Sequence, residues 1–225
     1  MKTLILSGLL LLAAAPRVRA DAAHAGAPAV PAGTALNKLK TGAMRFAAGS
    51  SRPHAYLKEV RASAKGQHPF AAVLGCIDSR VDPEIIFDQG LGDLFSMRVA
   101  GGVADDDALG GLEYAAKVSG VRLIVVLGHS HCGAVKGACD GVKLGNLTGL
   151  LARIKPAVDA VPADGRPHDS SNPDFVARVA RENVLLGIRT IREKSPILAA
   201  LEKSGELKIV GAMYDVETGR TEFYK

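Results

Sequence analysis

The stretch VRLIVVLGH at residues 121–129 runs through five consecutive large aliphatic side chains and ends on a histidine. It shows no in–out alternation, and Ile124, Val125 and Val126 are β-branched, so it predicts a short strand buried on both faces of a sheet. A buried helix is the weaker alternative, because the run is short and rich in residues that favour pleated backbone. Fifty residues earlier FAAVLGC at 70–76 has the same character. Both runs stop in polar residues that include a thiol: GCIDSR at 75–80 and GHSHCG at 128–133.

Outward from these two runs the chain alternates strand and helix signals. Thr34 is placed to cap a helix reaching about Ala48, and His54 to Lys65 predicts a second helix ended by Gly66. LFSMRV at 94–99 is a further strand candidate. Asp105, Asp106 and Asp107 precede the periodic ALGGLEYAAKV, where acids favour a helix N-terminus. Residues 133–160 are helical in pieces, and 161–173, rich in Pro, Asp, Gly and Ser, form the main internal loop. A long helix from about Asp174 to Lys194 turns Val176, Val179, Val184, Leu185, Ile188 and Ile191 inward, and Pro196 restarts a shorter one to about Lys203. ELKIVGAMYDVETGRTEFYK closes the chain as two strands around Glu217-Thr218-Gly219-Arg220. The expected fold is α/β: a central, mostly parallel sheet with an antiparallel edge strand, flanked by helices, with extended N-terminal helices.

The first twenty residues, MKTLILSGLLLLAAAPRVRA, stand apart. One lysine, an apolar run, a proline and small residues at Val18 and Ala20 make the pattern of a secretory signal peptide cut before Asp21, with a cut after Ala15 as an alternative. A membrane-anchored N-terminus is the competing expectation, although the run is short for a span. The domain plan is therefore residues 1–20 as signal peptide, 21–33 as a flexible Ala/Pro/Gly-rich segment, and 34–225 as one α/β domain; the expected compartment is periplasmic or secreted. Removing the leader lowers the net charge from +5 to +2, and no Lys/Arg block remains to suggest a nucleic-acid partner. Three cysteines, Cys76, Cys132 and Cys139, do not make an even disulfide framework, which favours metal ligation or thiol chemistry.

In open parallel sheets ligand sites lie beyond the carboxyl ends of strands. Cys76 and His129 each follow such a strand, and Cys132 lies one turn past His129. Two thiolates and an imidazole suit Zn²⁺, and three protein ligands with a fourth position open is the catalytic arrangement, in which a bound water can ionise near neutral pH. Spacing alone leaves alternatives: a structural zinc completed by Asp78 or Cys139, a Cys/His nucleophile, or small core residues. The G-x-S-x-G elbow is excluded because Cys132 stands where glycine is required, and the zinc-deaminase signature is absent.

Together, C-x-D-S-R at 76–80 and G-H-S-x-C-G at 128–133 resemble the motifs of the β-class carbonic anhydrases. The similarity extends through KGQHPF at 65–70, GDLFSMRVAGG at 92–102, GLEYA at 111–115 and GAMYDVETG at 211–219. The resemblance implies a zinc lyase that reversibly hydrates CO₂ to bicarbonate and a proton by attack of a zinc-bound hydroxide. Cys76, His129 and Cys132 match the metal ligands. Asp78 and Arg80 match the dyad that orients the hydroxide, and in some members this carboxylate instead becomes a fourth zinc ligand. Gln67, Phe95, Ala100, Tyr114 and Gly133 match substrate-pocket positions, with Gln67, Phe95 and Tyr114 serving the zinc of a partner in a homodimer or a tetramer of dimers. Where many members of that family have R-N-x-A-N, this chain reads Arg98-Val99-Ala100-Gly101-Gly102. His68 and His131 are candidate proton shuttles or ordinary exposed histidines. A relative acting on carbon disulfide or carbonyl sulfide, a structural-zinc binding protein and a thiol enzyme are the competing functions.

Overall fold

The computed structural model describes residues 29–224. The predicted signal peptide and most of the 21–33 segment lie outside the described residues.

Five strands form one sheet: β1 (Ala71–Gly75), β2 (Leu94–Arg98), β3 (Leu123–His129), β4 (Lys208–Tyr214) and β5 (Thr221–Tyr224), in the order β2-β1-β3-β4-β5. The first four are parallel, and β5 pairs antiparallel with β4, as the closing hairpin signal predicts. The register sets Val73 beside Val125 and His129 beside Tyr214, so β1 and β3 deliver their carboxyl ends to the same edge.

Because side chains alternate across a strand, a sheet covered on both faces needs apolar residues at every position. Ile124 and Val126 enter one core with Ala72 and Leu74; Leu123, Val125 and Leu127 enter the other with Ala71 and Val73. The first core is closed mainly by α4 (Asp106–Glu113), α5 (Gly133–Cys139), α7 (Lys155–Ala160), α8 (Pro173–Lys194) and α9 (Pro196–Lys203); the second by α1 (Ala32–Ala47) and α3 (Pro83–Ile86). The remaining helices are α2 (Tyr56–Ser63) and α6 (Leu147–Ala152).

The caps explain several boundaries. Asp105 accepts a hydrogen bond from the Ala108 N–H, Asn172 from Phe175 and Ser195 from Leu198, starting α4, α8 and α9 where acid or Pro signals place them. Thr34 does not cap α1: the helix begins at Ala32 after Pro31, whose restricted φ sets the entry without a side-chain cap. The second helix is shorter than 54–65, since His54 leaves the helical path to reach Glu59 and Asp88. On α8, Leu185 is only half-buried; Asn183 and Gly187 take the inward positions between Val179 and Ile191. The α4 pattern also breaks its period, continuing as a π-helical turn over Tyr114–Val118.

α3 was not evident from periodicity, being one turn long. Its end carries Asp88 in the left-handed region at φ 50°, a conformation aspartate tolerates. The buried Asp88 carboxylate takes the Arg45 Nε–H, the Arg52 backbone N–H at 2.9 Å and His54 Nε2 at 3.5 Å, tying α1 and the following segment to the sheet.

Candidate metal centre

Cys76 leaves the end of β1, His129 ends β3, and Cys132 immediately precedes α5. Their potential ligand atoms lie within 4.8 Å of one another, and all three residues are buried. This is the set expected from the sequence, and among the described residues it is the cluster of three or more such side chains able to hold a metal.

The donors are prepared for a cation. His129 Nδ1 donates to the Ser130 carbonyl at 2.9 Å, which leaves the Nε2 lone pair pointing inward; Nε2 is buried without a hydrogen-bond partner. An imidazole fixed through one nitrogen with the other buried and unsatisfied is what a metal ligand requires. The sulfurs of Cys76 and Cys132 are 3.9 Å apart. Two thiolates on a tetrahedral zinc at about 2.3 Å would stand roughly 3.8 Å apart, so the pair needs almost no adjustment. The residues therefore fit zinc.

Backbone donors converge on the first sulfur. Cys76 Sγ accepts the N–H of Asp78 at 3.4 Å and of Gly101 at 3.2 Å. A hydrogen bond from the Cys132 thiol, with these N–H groups and His129, outweighs burial and holds the Cys76 thiol well below its ordinary range; Cys132, the donor of the pair, is held above it. Cys139 is half-buried and stays outside the cluster, and burial, with the nearby Asp140 charge, pushes its thiol up to about 11.

Asp78 turns away from the ligands. Its carboxylate receives Arg80 Nε at 2.9 Å, Arg80 Nη2 at 2.8 Å and the Arg80 backbone N–H at 3.0 Å. These bonds hold Asp78 far below the usual carboxylate range, with the His129 side chain adding in the same direction. The fourth-ligand arrangement is therefore not the one adopted here.

Two further residues hold this loop and were not singled out in the sequence. Arg98, at the end of β2, donates from Nε to the Cys76 carbonyl at 3.0 Å and from Nη2 to the Asp78 carbonyl at 2.7 Å. Ser130 donates to Asp215 at 3.0 Å and accepts from the Val216 N–H at 3.0 Å, locking the ligand turn to the β4–β5 hairpin. The usable signal for Arg98 was a long cation closing a strand beside the motif.

The expected pocket residues are dispersed. Gln67 is exposed before β1, Gly133 is exposed at the start of α5, and Ala100 opens the turn after β2. Phe95 meets Tyr114 edge to face at 6.0 Å. The small cavity between the ligands is walled by Gly101, Leu127, Gly128, Val135, Ala180 and Asn183, and by none of these five from the same chain. A groove of about 770 Å³ passes Ser130 and His131 but includes none of the three ligands. His68 is exposed, and His131, at φ 57°, pairs with Glu217 at 3.0 Å.

Residues 71–221 match the sequence pattern of the carbonic anhydrase family. The chain belongs to the β-class carbonic anhydrases. It is 41% identical over 192 residues to "Carbonic anhydrase 2" of Mycobacterium tuberculosis strain H37Rv, a match spanning 83% of this chain and 89% of that protein. It is 35% identical over 167 residues to the carbonic anhydrase of Synechococcus elongatus, spanning 69% of this chain and 60% of the relative. Among solved structures it resembles the β-carbonic anhydrase CafA of Aspergillus fumigatus, with a TM-score of 0.64 and 27% identity over 86% of this chain and 90% of that one. A structure described among two tetrameric β-carbonic anhydrases of Sordaria macrospora gives 0.62 and 28% over 84% and 94%. β-Carbonic anhydrases use zinc, and the Cys-His-Cys cluster of this one is able to bind it.

Proposed function

We propose that the protein catalyses zinc-dependent reversible hydration of CO₂ to bicarbonate, with Asp78 and Arg80 as its catalytic dyad. The observation that carries this reading is the Asp78 carboxylate held by Arg80 one turn from a buried Cys76–His129–Cys132 set. When bound, zinc supplies Lewis acidity that activates water near neutral pH. The chain's own residues do the rest. Cys76, His129 and Cys132 would hold the ion. Asp78, kept ionised by Arg80, is an acceptor for a proton on the nucleophile and orients its lone pair. The Gly133 N–H, exposed at the first turn of α5, is a donor for a bicarbonate oxygen. A second Asp–Arg pair, Asp88–Arg45, binds α1 to the end of α3 and touches none of the ligands, which favours Asp78–Arg80 as the dyad.

Gln67, Phe95, Ala100 and Tyr114 complete the pocket in this reading, and Gln67, Phe95 and Tyr114 do so across a homodimer. The surface supports a dimer: α2 buries none of its residues, and Leu57, Val60, Ile77, Ile85 and Tyr114 are exposed. The tetrameric Sordaria relative makes a dimer of dimers a reasonable further step. Export rests on the leader pattern of residues 1–20 and predicts a mature N-terminus at Asp21. No helix among the described residues is long and apolar enough to cross a membrane.

Stopped-flow hydration with a pH indicator tests the function: rapid proton release on mixing with CO₂ supports it. Protein carrying one zinc per chain yet inert from pH 7 to 9 overturns it. Intact mass of protein from the native compartment tests the leader, and a retained Met1–Ala20 overturns export.

A further inference from the structure

We propose that Asn183 is a positioning residue for the metal centre: it fixes the Val99–Gly102 turn so that the Gly101 N–H stays on the Cys76 sulfur, and so sets how much charge that thiolate gives a bound metal. The inference rests on the Cys76–His129–Cys132 set holding zinc.

Asn183 is the polar exception on the inner face of α8, flanked by Val179, Ala180, Val184 and Gly187, and only 7% exposed. An aliphatic side chain would fill that slot without desolvating an amide, so packing alone does not call for asparagine. Its Nδ2 donates to the Gly101 carbonyl at 2.7 Å, a bond linking positions 82 residues apart. Asn183 and Gly101 also share the wall of the small cavity between the ligands.

The partner turn is specialised. The Gly102 N–H donates to the Val99 carbonyl at 2.7 Å, and Gly101 sits at φ 73°, ψ 1°, the third position of a type II turn, which favours glycine. A Cβ on Gly101 would also come within 2.6 Å of Ile154 Cδ1. In this conformation the Gly101 N–H reaches Cys76 Sγ at 3.2 Å while its carbonyl faces α8. The two groups belong to successive peptide units, which the turn closed by Gly102 N–H on the Val99 carbonyl holds at a set angle, so anchoring the Gly101 carbonyl restrains the N–H through that turn.

An N–H donated to a thiolate draws charge from sulfur and weakens its donation to a metal. Partners one bond removed from a metal ligand typically alter metal affinity or activity by about 10- to 100-fold. The test uses full-length protein and the variants Asn183→Asp, which keeps size and loses the donor, and Asn183→Leu, which fills the slot with an apolar side chain. Each is loaded with Co²⁺ for absorption spectroscopy and separately titrated with zinc against a chelator. The expected result is a shift of the sulfur-to-cobalt charge-transfer bands to longer wavelength, with zinc affinity changed by roughly 10- to 100-fold. Gly101→Ala, strained at the turn itself, is expected to shift the bands in the same direction and reads the same link if an Asn183 variant does not fold. Folded variants with wild-type bands and wild-type zinc affinity overturn the proposal and leave Asn183 a packing residue. Wild-type protein with no thiolate-to-cobalt band overturns the metal reading itself.

Discussion

The guanidinium of Arg80 lies along both carboxylate oxygens of Asp78, Nε to Oδ1 at 2.9 Å and Nη2 to Oδ2 at 2.8 Å, and the Arg80 backbone N–H adds a third bond at 3.0 Å. The two residues are separated only by Ser79, so the turn that begins after Cys76 both delivers a ligand and closes this pair. The arrangement keeps the carboxylate beside the metal cluster without placing it in the cluster.

Asp78→Asn should therefore retain zinc while losing activity. Asparagine presents an amide where an ionised acceptor is needed, and kcat/KM is expected to fall by on the order of 10- to 100-fold or more. Metal analysis alongside stopped-flow rates checks both halves. Wild-type turnover in this variant would remove the dyad from the mechanism.

Cys132→Ser should lose the metal. Serine is a poor zinc ligand at neutral pH, and the remaining Cys76 and His129 give only two donors. Dialysed protein is expected to hold far less than one zinc per chain, measured by elemental analysis.

Acid should weaken the attachment of α1 through Asp88. Burial pushes this carboxyl up, but the Arg45 side chain, the Arg52 N–H and His54 together bring it below its ordinary value. A folded-state pKa lower than the unfolded value of about 3.9 lends stability that is complete above that pH. It is lost as pH falls through the folded-state value. Asp88→Asn, which keeps a residue tolerant of φ 50°, should melt below wild type at pH 7, with the gap closing below about pH 4. A gap that is constant with pH would mean that the charge contributes nothing.

Gly42 tests how α1 docks. A Cβ there would lie 1.7 Å from the Phe87 carbonyl oxygen, backbone that cannot rotate away as a side-chain tip can. Gly42→Ala should cost at least the roughly 1–3 kcal/mol typical of overpacking, despite alanine's better helix propensity. Chemical denaturation of the two proteins measures the difference.

The strands and ligands were legible because their signals are local and one-dimensional. Short apolar runs at 71–75 and 123–127 read best as strands covered on both faces, and the residues that stop them, Cys76 and His129, fall at the carboxyl ends of the strands, where parallel sheets leave room for a site. The antiparallel β5 followed from a turn signal between two short apolar segments. What escaped is what depends on the third dimension. Arg98 grips the Cys76 and Asp78 carbonyls across a strand pairing, and Asn183 reaches Gly101 from a helix far along the chain. Nothing in the spacing of either residue announces that contact. Leu185 is only half-buried because helical phase outweighs hydrophobicity: at 3.6 residues per turn, Asn183 and Gly187 continue the line through Val176 and Val179.

Zinc reconstitution tests the central claim most directly. Protein stripped of metal is titrated with zinc, and the initial rate of CO₂ hydration is followed at each addition. The account predicts no activity above background in the stripped protein, and a linear rise that saturates at one zinc per chain. Full activity without zinc, or none after one zinc per chain has bound, would contradict it.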